Sequence, residues 1–262
     1  MRESSAAVPG DLCIVTAVDV EFNSAASFLS DKSVFTESRV KILRGLFGGR
    51  RVTVLQSQMG ARGFAEWLSR HLADNRYDAL VVVGLAGGVD PKLRVGDSVL
   101  YDLCYDARAI DFPPSTQFLD KDVGRIASDA SLTSCLFEAL RAAQVFCVRG
   151  SGVTASRIIT ESRDKMALGV YFSAAAVDLE TYEAISACSM FNLPTATLRV
   201  ISDEAGTDIP DFNQAYDADG RMNGLRMAVA MLSRPAATLR FLLNIRRVLN
   251  SLRENLRVVL NT

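Results

Sequence analysis

Short apolar runs recur along the chain and alternate with longer stretches whose apolar positions return every three or four residues. Residues 12–18, 52–56, 79–83, 98–101, 145–148, 174–177 and 195–201 are rich in Val, Ile and Leu and are bounded by Gly, Asp or Asn. That pattern predicts buried strands. Between them, residues 20–29, 61–74, 132–143 and 180–191 show helical spacing. Strands alternating with helices predict an α/β protein: a three-layer α/β/α sandwich around a mixed, mostly parallel central sheet. No repeat of fixed period and no Ser/Gly/Pro-rich linker divides the sequence, so residues 1–262 read as one domain. Segment 108–122, with Pro113 and Pro114 and few apolar residues, reads as a loop. It is either a rim loop carrying substrate contacts or a plain surface excursion.

The C-terminal stretch, 234–262, has its own pattern. Leu242, Ile245, Leu249, Leu252, Leu256 and Val259 form one helical stripe. Arg240, Arg246, Arg247, Arg253 and Arg257 fill the remainder, and Glu254 is its only acid. A basic amphipathic helix of this kind has two destinations. It packs on the core or on a second subunit, the commoner fate, or it lies in a membrane interface.

Composition narrows the classes. Hydrophobic residues make up 49% and charged residues 23%, which supports a sizeable core. Lys and Arg number 29 against 30 Asp and Glu, a balance that gives no reason to expect nucleic-acid binding. Five scattered cysteines without a C-x-x-C pair argue against a disulfide framework and for a reducing, cytoplasmic setting; Cys13 and Cys147 sit in apolar runs as small core residues. With a single histidine, no metal site is expected, and nothing calls for a cofactor. That histidine, His71, lies near Arg70 and Asp74 and reads as a surface residue, while Trp67 reads as core. Residues 1–10 carry Arg2 but no apolar block of signal-peptide length, and no run suits a membrane span.

Three segments carry candidate chemistry. In Val81-Val82-Val83-Gly84-Leu85-Ala86-Gly87-Gly88, a buried strand runs into a Gly-rich turn, where a ligand could approach the backbone or the chain could simply pack tightly. It is neither a dinucleotide fingerprint nor a P-loop. Asp178 and Glu180 follow a strand, where carboxylates face the ligand crevice of α/β proteins; Glu180 would equally suit a helix start. Arg199 lies inside the apolar strand 195–201 and needs an anionic partner, for which Asp178, Glu180 and Glu21 are candidates. Asp203 lies just past that strand and reads as turn residue or catalyst.

In this order the segments resemble the nucleoside phosphorylase and nucleosidase superfamily, from about Leu12 to Ala230. Its best-known hydrolytic members are the 5′-methylthioadenosine/S-adenosylhomocysteine nucleosidases. The resemblance is strongest over 84–97 and 176–205. It implies that Asp203 protonates the departing base and that Glu180 holds the ribose hydroxyls. Leu179 takes the place of a methionine under the sugar, and Glu21 matches the glutamate that activates water. Arg199 and Asp178 match residues that orient this water. Ile158 and Ile159 fall near backbone groups that contact adenine, and Leu85 and Gly87 line the site. Cleaving a ribosyl C–N bond builds cationic character on the sugar and negative charge on the purine, which a buried carboxylic acid can neutralise at N7.

Water is favoured over phosphate as nucleophile. The related bacterial hexameric phosphorylases place an Arg and a Ser where this chain has Val82 and Leu85, and an acidic Glu21 would repel a dianion. Leu85 also departs from the methylthioadenosine nucleosidases, which carry Ser there. A nearer resemblance is to the hopanoid-associated nucleoside phosphorylase group, which releases adenine from adenosylhopane. It rests on the Gly-Leu-Ala-Gly-Gly segment, on 156–160 followed by Lys165, on 215–220 and on the tail after Pro235. The reading is therefore a homodimeric enzyme cleaving an adenine nucleoside with an apolar 5′ group, with membrane contact through the tail left open. Phosphorolysis is the alternative within the family. A non-catalytic nucleoside-binding or membrane-associated protein is the alternative of another class.

Overall fold

The structure, a computed structural model, describes residues 10–58, 63–110, 123–216 and 223–262. Residues 1–9, the segment holding Pro113 and Pro114, and residues 217–220 of the resembling motif lie outside the described residues. The strands β1 (Leu12–Thr16), β2 (Ser30–Glu37), β3 (Val40–Phe47), β4 (Arg50–Gln56) and β5 (Ala79–Gly88) come first. They are followed by β6 (Ser98–Asp106), β7 (Arg125–Ala127), β8 (Cys147–Thr154), β9 (Ala174–Asp178) and β10 (Thr195–Asp203). All ten join one sheet, in the order β10-β6-β8-β9-β5-β1-β4-β3-β2, with β7 on β6. A further β10–β5 pairing closes β5, β9, β8, β6 and β10 into a ring.

The sheet is mixed. β1 runs parallel to β4 and β5, β10 to β5, and β8 to β6 and β9, whereas β9 meets β5 antiparallel. Continuous apolar runs fit such strands because both faces are covered. Leu12 and Ile14 of β1 point to one core and Cys13 and Val15 to the other. Helices α1 (Asp19–Ala26), α3 (Ala130–Ala142) and the C-terminal half of α7 (Pro235–Asn261) cover the first face. Helices α2 (Phe64–Asp74) and α5 (Thr181–Ser189) cover the second. Helix α4 (Ser162–Phe172) packs on β9 and β8. No helix among the described residues is long and apolar enough to cross a membrane.

Several local expectations are corrected. Gly84–Gly88 belongs to β5 and is not a turn, and Asp203 ends β10 rather than following it. Strand β2 escaped the apolar pattern because every one of its residues is exposed, as suits an edge strand. His71 is buried, not on the surface: it stacks on Trp67 at 4.8 Å, and its Nε2 lies 2.8 Å from the Tyr77 hydroxyl. The tail helix divides. Val248, Leu252, Leu256 and Val259 are buried, whereas Leu239, Leu242 and Leu243 near its start are exposed together with Leu225, Val229 and Leu232 of α6 (Gly224–Ser233).

Candidate active site

The site begins with a gap in the sheet. β1 accompanies β5 only as far as Val82, opposite Val15, and β9 meets β5 only at Gly87 and Gly88. Along that edge, residues 83–86 have no strand partner among the described residues. Because β9 is antiparallel to β5 and β1 parallel, the C-terminal ends of β1 and β9 face each other across the opening. This is the kind of strand-end crevice in which open α/β sheets bind ligands.

Glu21 fills one side of it. As the third residue of α1, its Oε2 accepts hydrogen bonds from the Ala17 and Val18 amides at 2.7 and 3.2 Å, the geometry of a helix-capping carboxylate. Its Oε1 accepts from the Leu85 N–H at 2.7 Å, a donor that the missing strand would otherwise have satisfied. Burial pushes the Glu21 carboxyl above its ordinary value of 4.5, against the opposing pull of Arg199 and these three amides. The glycine at 84 follows from this crowding: a Cβ there would lie 2.5 Å from Arg199 Nη1 and 2.6 Å from Glu21 Oε1.

Arg199 pairs with Gly84 across the β10–β5 ladder and is 1% exposed. Its Nη2 donates to Thr181 Oγ1 at 3.0 Å and to Glu180 Oε2 at 3.4 Å, and its Nε stands 3.2 Å from Asp178 Oδ2 as an ion pair without hydrogen-bond alignment. Burial works against its charge, yet Asp178, Glu180, Tyr101 and Glu21 outweigh it and raise the guanidinium above its ordinary value. Asp178 is saturated: it accepts from the Thr154 and Thr181 hydroxyls and from the Glu180 and Thr181 amides, which fixes the start of α5. Asp178 thus anchors Arg199 and α5, while Glu180 meets the same guanidinium from the start of α5.

Asp203 faces the same strand three residues on. A Cβ at Gly87 would lie 3.4 Å from its Oδ2 and 3.3 Å from Val177 Cγ1. Its Oδ1 accepts from Ser202 Oγ at 2.6 Å and its Oδ2 from Lys165 Nζ at 2.7 Å. An ion pair therefore accompanies Asp203, where burial alone was expected. Leu85 and Leu179 are half-buried and Ile159 is buried. Ile158 N–H donates to Asn213 Oδ1 at 2.8 Å and Ile158 O accepts from Asn213 Nδ2 at 3.0 Å, which ties this backbone to the turn at residues 213–215.

The sequence profile of the Phosphorylase superfamily matches residues 11–233. The chain belongs to the phosphorylase superfamily. This superfamily enzyme is 25% identical over 225 residues to a 5′-methylthioadenosine/S-adenosylhomocysteine nucleosidase of Tolumonas auensis, covering 84% of this chain and 97% of the relative. It is 24% identical to that of Staphylococcus aureus, with 84% and 98% covered. The nucleosidase structure from Campylobacter jejuni superposes with a TM-score of 0.72 at 18% identity, over 96% of this chain and 97% of that one. The Neisseria meningitidis nucleosidase, in complex with methylthio-immucillin-A, superposes with 0.71 at 18%, over 96% and 98%. These two likenesses establish the fold.

Two further residues of this superfamily member stand at the site. Burial raises the Tyr216 hydroxyl above its ordinary value, and the charges of Glu21 and Glu180 add to the effect. Lys165 is fully buried against Asp203. A sequence signal for Lys165 existed: with Leu168 and Phe172 it forms the buried stripe of α4, a position where a lysine requires a partner.

Proposed function

We propose that this enzyme hydrolyses the N-glycosidic bond of an adenine nucleoside bearing an apolar 5′ substituent, of methylthioadenosine or adenosylhopane type. As C1′–N9 breaks, its electron pair passes to the purine and a proton moves from Asp203 to N7. Water adds to C1′ and gives its proton to Glu21, while Glu180 holds the ribose hydroxyls and favours the cationic sugar. The observation that supports this reading is the meeting of the β1 and β9 ends over β5, with Glu21 against Gly84 and Leu85, Asp203 against Gly87, and Glu180 on Arg199, the cross-strand partner of Gly84. Phosphorolysis is disfavoured because Glu21 occupies the opening and because Val82 and Leu85 offer a phosphate no side-chain donor. The test is free adenine released from adenosine, methylthioadenosine and a long-chain 5′-alkyl adenosine, with and without phosphate. Equal release with and without phosphate is expected. A strict phosphate requirement would make the enzyme a phosphorylase, and no release from any of the three would favour a binding protein.

The same reading extends to location. The exposed apolar side chains of α6 and of the start of α7 are accompanied by Arg226, Arg240, Arg246 and Arg247, with no acidic residue between Gly220 and Arg253. This surface suits an anionic bilayer in a reducing cytoplasm, from which an enzyme could take a lipidic nucleoside. Homodimerisation would leave it accessible if the exposed Met166 and Val170 of α4 form the subunit contact. Replacing Leu225, Leu232 and Leu243 by Ser spares the buried half of α7. It should abolish co-flotation with phosphatidylglycerol-containing liposomes, and equal flotation of wild type and variant would remove the membrane reading.

A further inference from the structure

A lysine with no exposed surface is costly unless its ammonium is fully bonded. Lys165 meets that condition. From the first turn of α4 its Nζ donates to Asp203 Oδ2 at 2.7 Å, to the Glu204 carbonyl at 2.8 Å and to the Thr207 carbonyl. All three ammonium hydrogens are thus assigned, and all three acceptors belong to the end of β10 and the turn after it. The other oxygen of Asp203 is held differently. Ser202 Oγ lies 2.6 Å from Oδ1 but also 3.1 Å from the Ala86 carbonyl, so its hydrogen has two acceptors to choose between.

We propose that Lys165 is the positioning residue that makes the two oxygens of Asp203 inequivalent; the inference rests on the acid role given to Asp203 above. Oδ2 is pinned and cannot turn. Oδ1 carries the transferable proton, because Ser202 can swing its hydrogen to Ala86 O when Oδ1 is protonated and return it when the proton has gone. As Oδ1 gives its proton to the purine, a carboxylate forms beside a fixed ammonium, and that charge is stabilised where it develops. Lys165 touches neither base nor sugar in this scheme; it acts through Asp203.

The experiment is the pH profile of kcat and KM for adenine release from methylthioadenosine by wild type, Lys165→Met and Lys165→Arg. K165M should lower kcat by about 10²-fold, with KM little changed. It should also move the alkaline limb of kcat to higher pH, because a fixed positive charge beside the departing proton is gone. K165R retains the charge, so its limb should stay at the wild-type position while kcat recovers in part. A K165M enzyme with wild-type kcat and limb would overturn the proposal. So would a loss equal at every pH that K165R does not rescue, since that is the mark of a residue that only holds the turn. If K165M does not fold, Lys165→Gln, which keeps hydrogen-bond donors without the charge, takes its place and is read in the same way. Absence of wild-type release from methylthioadenosine, adenosine and the long-chain 5′-alkyl adenosine alike would instead defeat the nucleosidase reading.

Discussion

Asp203→Asn is expected to lower turnover by about 10²–10⁴-fold, the range for losing a general acid, while nucleoside binding stays near that of the wild type. The amide fits the site. Its oxygen can still accept from Lys165, and its NH2 can donate to Ser202 Oγ, whose own hydrogen turns to the Ala86 carbonyl. What is lost is the transferable proton and the negative charge opposite the ammonium. The stability cost should therefore fall below the roughly 3–5 kcal/mol of deleting one partner of a buried pair outright. Single-turnover adenine release measures the first effect, and calorimetric titration of the inert variant with methylthioadenosine measures the second. Undiminished turnover would remove Asp203 as the acid.

The sequence made much of this arrangement legible, and the failures have physical causes. Buried strands such as β1 and β5 were visible because a strand covered on both faces is apolar at every position. Arg199 announced its partners because a guanidinium inside an apolar strand cannot remain unpaired. Gly84–Gly88 was misread as a turn because glycine locally disfavours strands. Here it is needed within one, since Arg199 and Glu21 press against the backbone where a Cβ would stand. The tail stripe was visible, but not where it changes from exposed to buried, because that depends on α1, α3 and β10, which lie far away in sequence. The hold of Asn213 on the Ile158 backbone was not legible for a similar reason: the two lie 55 positions apart.

Glu21→Gln should be nearly as damaging to turnover, for the complementary reason that the water loses its base; a fall of about 10²–10⁴-fold is expected. The wild-type acid limb of kcat/KM should lie above 4.5, because the working form is the carboxylate and burial raises the pH at which it appears. Activity is thus lost as pH falls through that raised value, and E21Q should lack this limb. Stability follows the opposite sign. A carboxyl whose folded value is raised contributes stability below its unfolded value and loses it as pH rises through the folded one. In E21Q, the amide oxygen can serve the Ala17 and Val18 amides, but its NH2 then faces the Leu85 N–H, leaving that donor unsatisfied at a cost of about 1–3 kcal/mol. The variant should therefore be less stable than wild type at pH 4, with the difference narrowing toward pH 8 as the wild type must bury a charge that glutamine lacks. Urea melts at the two pH values read this difference directly. An acid limb left in place by E21Q would assign the base to another group, and a stability difference that widened with pH would show that Glu21 is not raised.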